Sequence, residues 1–176
     1  MKRTVATVSA MALVVLVAFS IFLATRHPVS DATVAPSPLL GKTAPAISGR
    51  QLGGGTFSLV HERGHVVVVN FWASWCPPCI QEAPELSTYA WSVRHGGVVV
   101  VGVVFNDSIG AATTFAAHYG SLYPSIVDPG GAIANRYGVT SPPTTYVIDR
   151  HGRVAATLLG ATTARQLAAV VARVTT

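Results

Sequence analysis

Cys76 and Cys79 are the only cysteines among 176 residues, and they stand three apart in Trp75-Cys76-Pro77-Pro78-Cys79. That spacing places both sulfurs on one side of a helical first turn, close enough for a reversible disulfide. The β-branched apolar run Val66 to Trp72 predicts a strand buried on both faces. A helix is predicted from about Pro77 to Arg94, with the apolar stripe Cys79, Ala83, Leu86, Ala90 and Val93. Cys76 thus falls at a strand-to-helix junction, where free amides and the positive end of the helix dipole favour a thiolate. Cys76 is read as the attacking sulfur. Cys79, one turn in and on the apolar stripe, is expected to be shielded and to act as the resolving thiol. The alternatives are weaker. A three-residue loop gives a static disulfide little chain-entropy stabilisation. Half a zinc site lacks a second cysteine pair. Pro77 and Pro78 carry no N–H, so fewer amides can donate to the Cys76 sulfur. That shifts the couple toward the reducing side.

The remaining elements must position this pair. Ala46 to Leu52 and Thr56 to Val60 read as a hairpin around Gly53-Gly54-Gly55. Gly97 to Phe105 gives a second buried strand. Asp107 or Ser108 caps a helix to Tyr119. Pro124 to Val127 is a short strand, and a short helix ends at Tyr137-Gly138. Thr144 to Ile148 and Val154 to Leu159 form a hairpin, and Thr163 with Gln166 opens a last helix as a capping-box pair. Strand–helix–strand order with short links implies a right-handed parallel crossover, and the terminal hairpin adds antiparallel strands. The expected fold class is α/β, a mixed central β-sheet with helices on both faces.

Length allows one domain plus a tail. Lys2 and Arg3 precede twenty uncharged residues, Val5 to Ala24, about the length that crosses a bilayer as a helix. Positive charge before the span favours a cytoplasmic N-terminus and an extracytoplasmic domain. Residues 1–26 are read as a signal-anchor, with a cleaved signal peptide, and so secretion, as the alternative. Residues 27–45 are read as a Pro-rich linker lifting the domain off the membrane, and 46–176 as the domain. The formal charge is +5, but Lys2, Arg3 and Arg26 supply much of it. The rest is nearly neutral, which speaks against nucleic acid as a partner. His65, His95, His118 and His151 show no ligand spacing, and no metal or cofactor is expected beyond the Cys76–Cys79 redox pair.

The stretch Asn70-Phe71-Trp72-Ala73-Ser74-Trp75-Cys76-Pro77-Pro78-Cys79 resembles the active-site segment of the thioredoxin superfamily. Glu82, Pro84, Glu85 and Leu86 narrow it, as do Tyr137-Gly138-Val139 and Pro143 to Asp149. Over residues 41–174 the chain resembles the membrane-anchored TlpA/ResA/CcmG (DsbE-like) thiol–disulfide oxidoreductases. The resemblance implies a thioredoxin-like sandwich with an N-terminal β-hairpin and a helix–strand element inserted between residues 106 and 128. By position it makes Glu82 the buried acid that shuttles protons and Pro143 a cis-proline beside the disulfide that helps form the substrate groove. A carboxyl buried one turn below Cys79 would have a raised pKa and could take the Cys79 proton. Asn70 stands where thioredoxin has a buried Asp and cannot serve as a base. Trp75 is read as a partly exposed substrate contact and Trp72 as core. Pro142 departs from the family pattern, because it offers substrate backbone a carbonyl but no donor.

The implied activity is reduction of disulfides in exported proteins, in cytochrome c maturation or oxidase copper-site assembly. Apocytochrome c is then a substrate, and a membrane thiol transporter of the CcdA/DsbD type the electron donor. One alternative reverses the flow, giving an oxidase of exported proteins. The other, a copper-binding chaperone, sits poorly with a CxxC spacing.

Overall fold

The computed structural model describes residues 11–20, 32–121 and 123–175. Contacts divide the chain into one unit over residues 1–30 and another over 31–176. In the first, residues 11–20 are helical (α1). The rest of the expected anchor lies outside the described residues, and no helix among those described is long and apolar enough to cross a membrane.

The second unit is built on a six-stranded mixed sheet of order β1-β8-β7-β4-β5-β6. These strands are β1 (Thr33–Val34), β4 (Val66–Trp72), β5 (Val98–Val104), β6 (Ser125–Val127), β7 (Thr144–Ile148) and β8 (Val154–Leu159). β5 runs parallel to β4 and to β6, whereas β7 is antiparallel to β4 and to β8. β2 (Ser48–Arg50) and β3 (Thr56–Ser58) form a separate two-stranded sheet, shorter than the hairpin expected there.

Every residue of β4 is buried. Strand alternation splits its side chains between two cores. Val67, Val69 and Phe71 pack with Phe57, Ile133 and Tyr137, from the β2–β3 side and α4 (Ala132–Tyr137). Val66 and Val68 pack with Leu86, Tyr89, Leu167 and Val171, from α2 (Pro77–Val93) and α5 (Ala164–Thr175). Near the strand's end Trp72 joins both cysteines, Ala83 and Phe115, the last from α3 (Ile109–His118). Helices therefore cover both faces, and the expected stripe of α2 is buried apart from the half-buried Val93.

The expected linker needs correcting. Residues 27–31 lie outside the described residues, but from Ala32 on the chain is docked on the domain. Thr33 and Val34 pair with Leu159 and Leu158. Gly41 N donates to Val154 O at 2.8 Å and Ala44 N to Gly152 O at 2.9 Å. Gln166, read as half of a capping box, bonds both backbone groups of Ala32. Its own N–H donates to Thr163 Oγ1, which leaves the box half formed. Prolines at positions 36, 38 and 45 are tolerated because this stretch lies along a sheet edge, where a missing N–H breaks few ladder bonds.

Candidate active site

β4 ends at Trp72, and α2 starts five residues later. Cys76 is the N-cap of α2, in extended backbone, and Pro77 and Pro78 occupy the first two helical positions. Proline is at home there, since those amides have no partner inside the helix. Cys79 therefore supplies the only N–H among these three positions, and it donates to Cys76 Sγ at 3.2 Å. The two sulfurs form a disulfide with their Cα atoms 5.2 Å apart. Each cysteine is 2% exposed. Cys79 is thus shielded as expected, and in the disulfide state Cys76 is shielded equally.

Glu82 lies one turn beyond Cys79 on α2 and is 1% exposed. Its Oε1 accepts from the Thr162 N–H at 3.0 Å, and its Oε2 from Asn70 Nδ2 at 3.0 Å. Burial pushes its pKa up from 4.5 to about 8, while the Thr162 and Asn70 hydrogen bonds pull in the opposite direction. Asn70 also donates to Thr145 Oγ1 at 3.0 Å, and its own Oδ1 has no partner among the described residues. β4 and β7 thus hold the amide that holds the carboxylate. Glu85, one turn further, accepts from Ala164 N at 2.9 Å. Two carboxylates of α2 therefore hold the segment that opens α5.

The Pro142–Pro143 peptide bond is cis. Phe71 is paired with Thr144, so Pro143 borders the end of β4 that leads into the cysteine turn. Pro143 is buried, and its carbonyl accepts from Gly160 N at 3.0 Å; Pro142 is half-buried. Trp75 is 53% exposed, yet its indole N–H is taken by Asn106 O at 3.0 Å, leaving the ring as its free surface. Trp72 is core: it stacks on Phe115 with centroids 4.8 Å apart and donates to Ser125 Oγ. Cys76, Cys79 and Trp75 follow the end of β4 and Pro142 and Pro143 precede the start of β7 at the same end of the sheet, with Glu82 one turn further into α2.

Sequence reasoning missed Thr162, Thr145 and the Asn106–Asp107 turn. Thr162 acts through its backbone N–H, which no residue type advertises. Of the two candidate caps of α3, Asp107 and Ser108, it is Ser108 whose Oγ accepts from Ala111 N, which leaves the Asp107 carboxylate to a role the sequence did not show.

A match to the AhpC/TSA family covers residues 40–157. A protein named thiol:disulfide interchange protein DsbE homolog, from Paracoccus denitrificans, is 39% identical over 128 residues, 70% of this chain and 68% of that one. Thiol-disulfide oxidoreductase ResA of Geobacillus thermodenitrificans is 32% identical over 124 residues, 70% and 71% of the two chains. Among solved structures, a DsbF homologue from Corynebacterium diphtheriae superposes with a TM-score of 0.67 at 31% identity, covering 75% of this chain and 86% of that one.

Proposed function

The chain belongs to the AhpC/TSA family and is a thiol–disulfide oxidoreductase of the DsbE and ResA type, and we propose that it works as a reductase of disulfides in exported proteins. The observation that carries this reading is the Cys76–Cys79 pair at the start of α2, with the buried Glu82 one turn away.

In the reduced protein the Cys76 thiolate attacks one sulfur of a substrate disulfide. A Cys76–substrate bond forms, the substrate's own bond breaks, and its leaving sulfur takes up a proton. The ionised fraction of Glu82 takes the Cys79 proton as Cys79 attacks the Cys76 sulfur, and it passes that proton on to the departing substrate sulfur. The Cys76–Cys79 bond closes, and the second substrate sulfur departs and is protonated. Two electrons and two protons have passed to the substrate. A donor dithiol returns the pair to its reduced state. A carboxyl with a pKa of about 8 is matched to accepting and releasing a proton near neutrality. Only one amide faces the Cys76 sulfur from the first helical turn, which favours the reducing direction.

The N-terminal apolar run supports a single membrane span with the domain on the extracytoplasmic side. Apocytochrome c fits the substrate class, and a membrane thiol transporter of the CcdA/DsbD type fits the donor. Trp75 and the Pro142–Pro143 loop supply the substrate-facing surface.

Trapping tests the reading. Cys79→Ser leaves attack intact and blocks resolution, so a disulfide-bearing apocytochrome peptide accumulates as a mixed disulfide on Cys76. Cys76→Ser gives no adduct, and Glu82→Gln slows resolution by roughly 100-fold at pH 7. An adduct on Cys79 in the Cys76→Ser protein, or resolution at full rate in Glu82→Gln, overturns it.

A further inference from the structure

The turn after β5 grips the turn that carries Cys76. Phe105 N donates to Trp72 O at 2.8 Å. Asn106 O accepts from Trp75 Nε1 at 3.0 Å. Asp107 Oδ2 accepts from the Ser74 N–H at 2.7 Å, while its Oδ1 accepts from Ser108 N at 2.8 Å. Asn106 has a φ of 44°, the one positive φ at a non-glycine residue among the described residues. Asn is one of the few side chains that enter this left-handed region readily. Asp107 is not needed as the cap of α3, because Ser108 fills that position. One of its oxygens is therefore committed to the cysteine turn, two residues before Cys76.

We propose that Asp107 is a positioning residue of the redox step: its carboxylate fixes the Ser74–Cys76 turn, and its charge there disfavours the Cys76 thiolate, holding the couple toward the reducing side. The proposal deepens the reductase reading and rests on Cys76 being the attacking sulfur. A negative charge close to a thiolate destabilises the reduced form and leaves the neutral disulfide unaffected. Arg50 and Arg136 line a cavity that shares Ile109, Val127 and Asp128 with the one Asp107 lines, and Arg136 donates to Ala46 O. No Lys or Arg occurs in residues 64–93 or 95–135. Of the other acids, Glu82 is held by Thr162 and Asn70 on the Cys79 side. Asp128 is taken up by the Ile133 and Ala134 amides at the start of α4.

Asp107→Asn keeps an acceptor oxygen for the Ser74 N–H and removes the charge; Asp107→Glu keeps the charge. The full chain is equilibrated with a dithiol buffer, and iodoacetamide labelling is followed against pH, with the labelled cysteine identified by peptide mass. In Asp107→Asn the equilibrium is expected to move toward the reduced protein by roughly threefold to tenfold, with labelling of Cys76 setting in at lower pH. Asp107→Glu restores both. Raising the salt concentration on the unmodified protein moves the equilibrium the same way, because Asp107 is only half-buried. Salt-independence together with an unshifted Asp107→Asn protein overturns the proposal. So does an Asp107→Asn protein that melts earlier with equilibrium and pH profile unchanged, since Asp107 would then be structural only. Labelling of Cys79 ahead of Cys76 is a separate result: it overturns the assignment of the attacking sulfur and this proposal with it.

Discussion

Asn70 Nδ2 donates to Glu82 Oε2 at 3.0 Å, tying the central strand to the redox helix at a point where both side chains are closed off from water. The bond joins a residue that cannot carry a proton to one that can. Asn70, anchored on Thr145, orients the carboxylate without competing for its proton. The Thr162 amide fixes the other oxygen. Glu82 is thus held in place mainly by neutral donors, and burial is left to set its affinity for protons.

Stability should report this directly. Glu82 keeps its proton to about pH 8 in the folded protein but only to about 4.5 when unfolded. The folded state binds the extra proton between those values, so this contribution is complete below about pH 4.5 and is lost as pH rises toward 8. At its steepest the loss is about 1.4 kcal/mol per pH unit. Melting curves of the disulfide form across this range should show the decline, and Glu82→Gln should flatten it. Asn70→Ala removes a bond that lowers the Glu82 pKa, so the decline should extend to higher pH. An unchanged decline in Glu82→Gln contradicts this assignment.

Gly102 of β5 is required by its neighbours. A Cβ there would lie 2.5 Å from Trp72 Nε1 and closer still to Ser125 Oγ. Those two atoms bond each other at 3.1 Å, beside the cysteine cluster. Gly102→Ala should cost about 1–3 kcal/mol in urea unfolding, by forcing the Trp72 ring off its stack with Phe115. Wild-type stability would show that the ring gives way freely.

The strand-to-helix junction at Cys76 was legible because two local signals coincide: a β-branched run with no charge, then prolines where a helix tolerates them. The burial of Glu82 was legible through the family resemblance, since its spacing to Cys79 alone fits an exposed helix acid equally well, and Trp72 and Trp75 fell on the sides expected of them. The docking of residues 32–45 was not legible. Its prolines and missing periodicity resemble a free spacer, and what holds it is backbone pairing with β8, more than 100 residues away. Backbone donors such as Thr162 N leave no mark in side-chain patterns. Asp107 gave an ambiguous mark, because an acid before a helix ordinarily caps it.

The most direct test of the account is the reduction potential of the Cys76–Cys79 couple, measured on the full chain equilibrated with defined dithiol buffers. A value near or below the ~ −270 mV of thioredoxin is expected. A value near the ~ −120 mV of a strong oxidant would contradict the reductase reading and make the protein a donor of disulfides to exported chains.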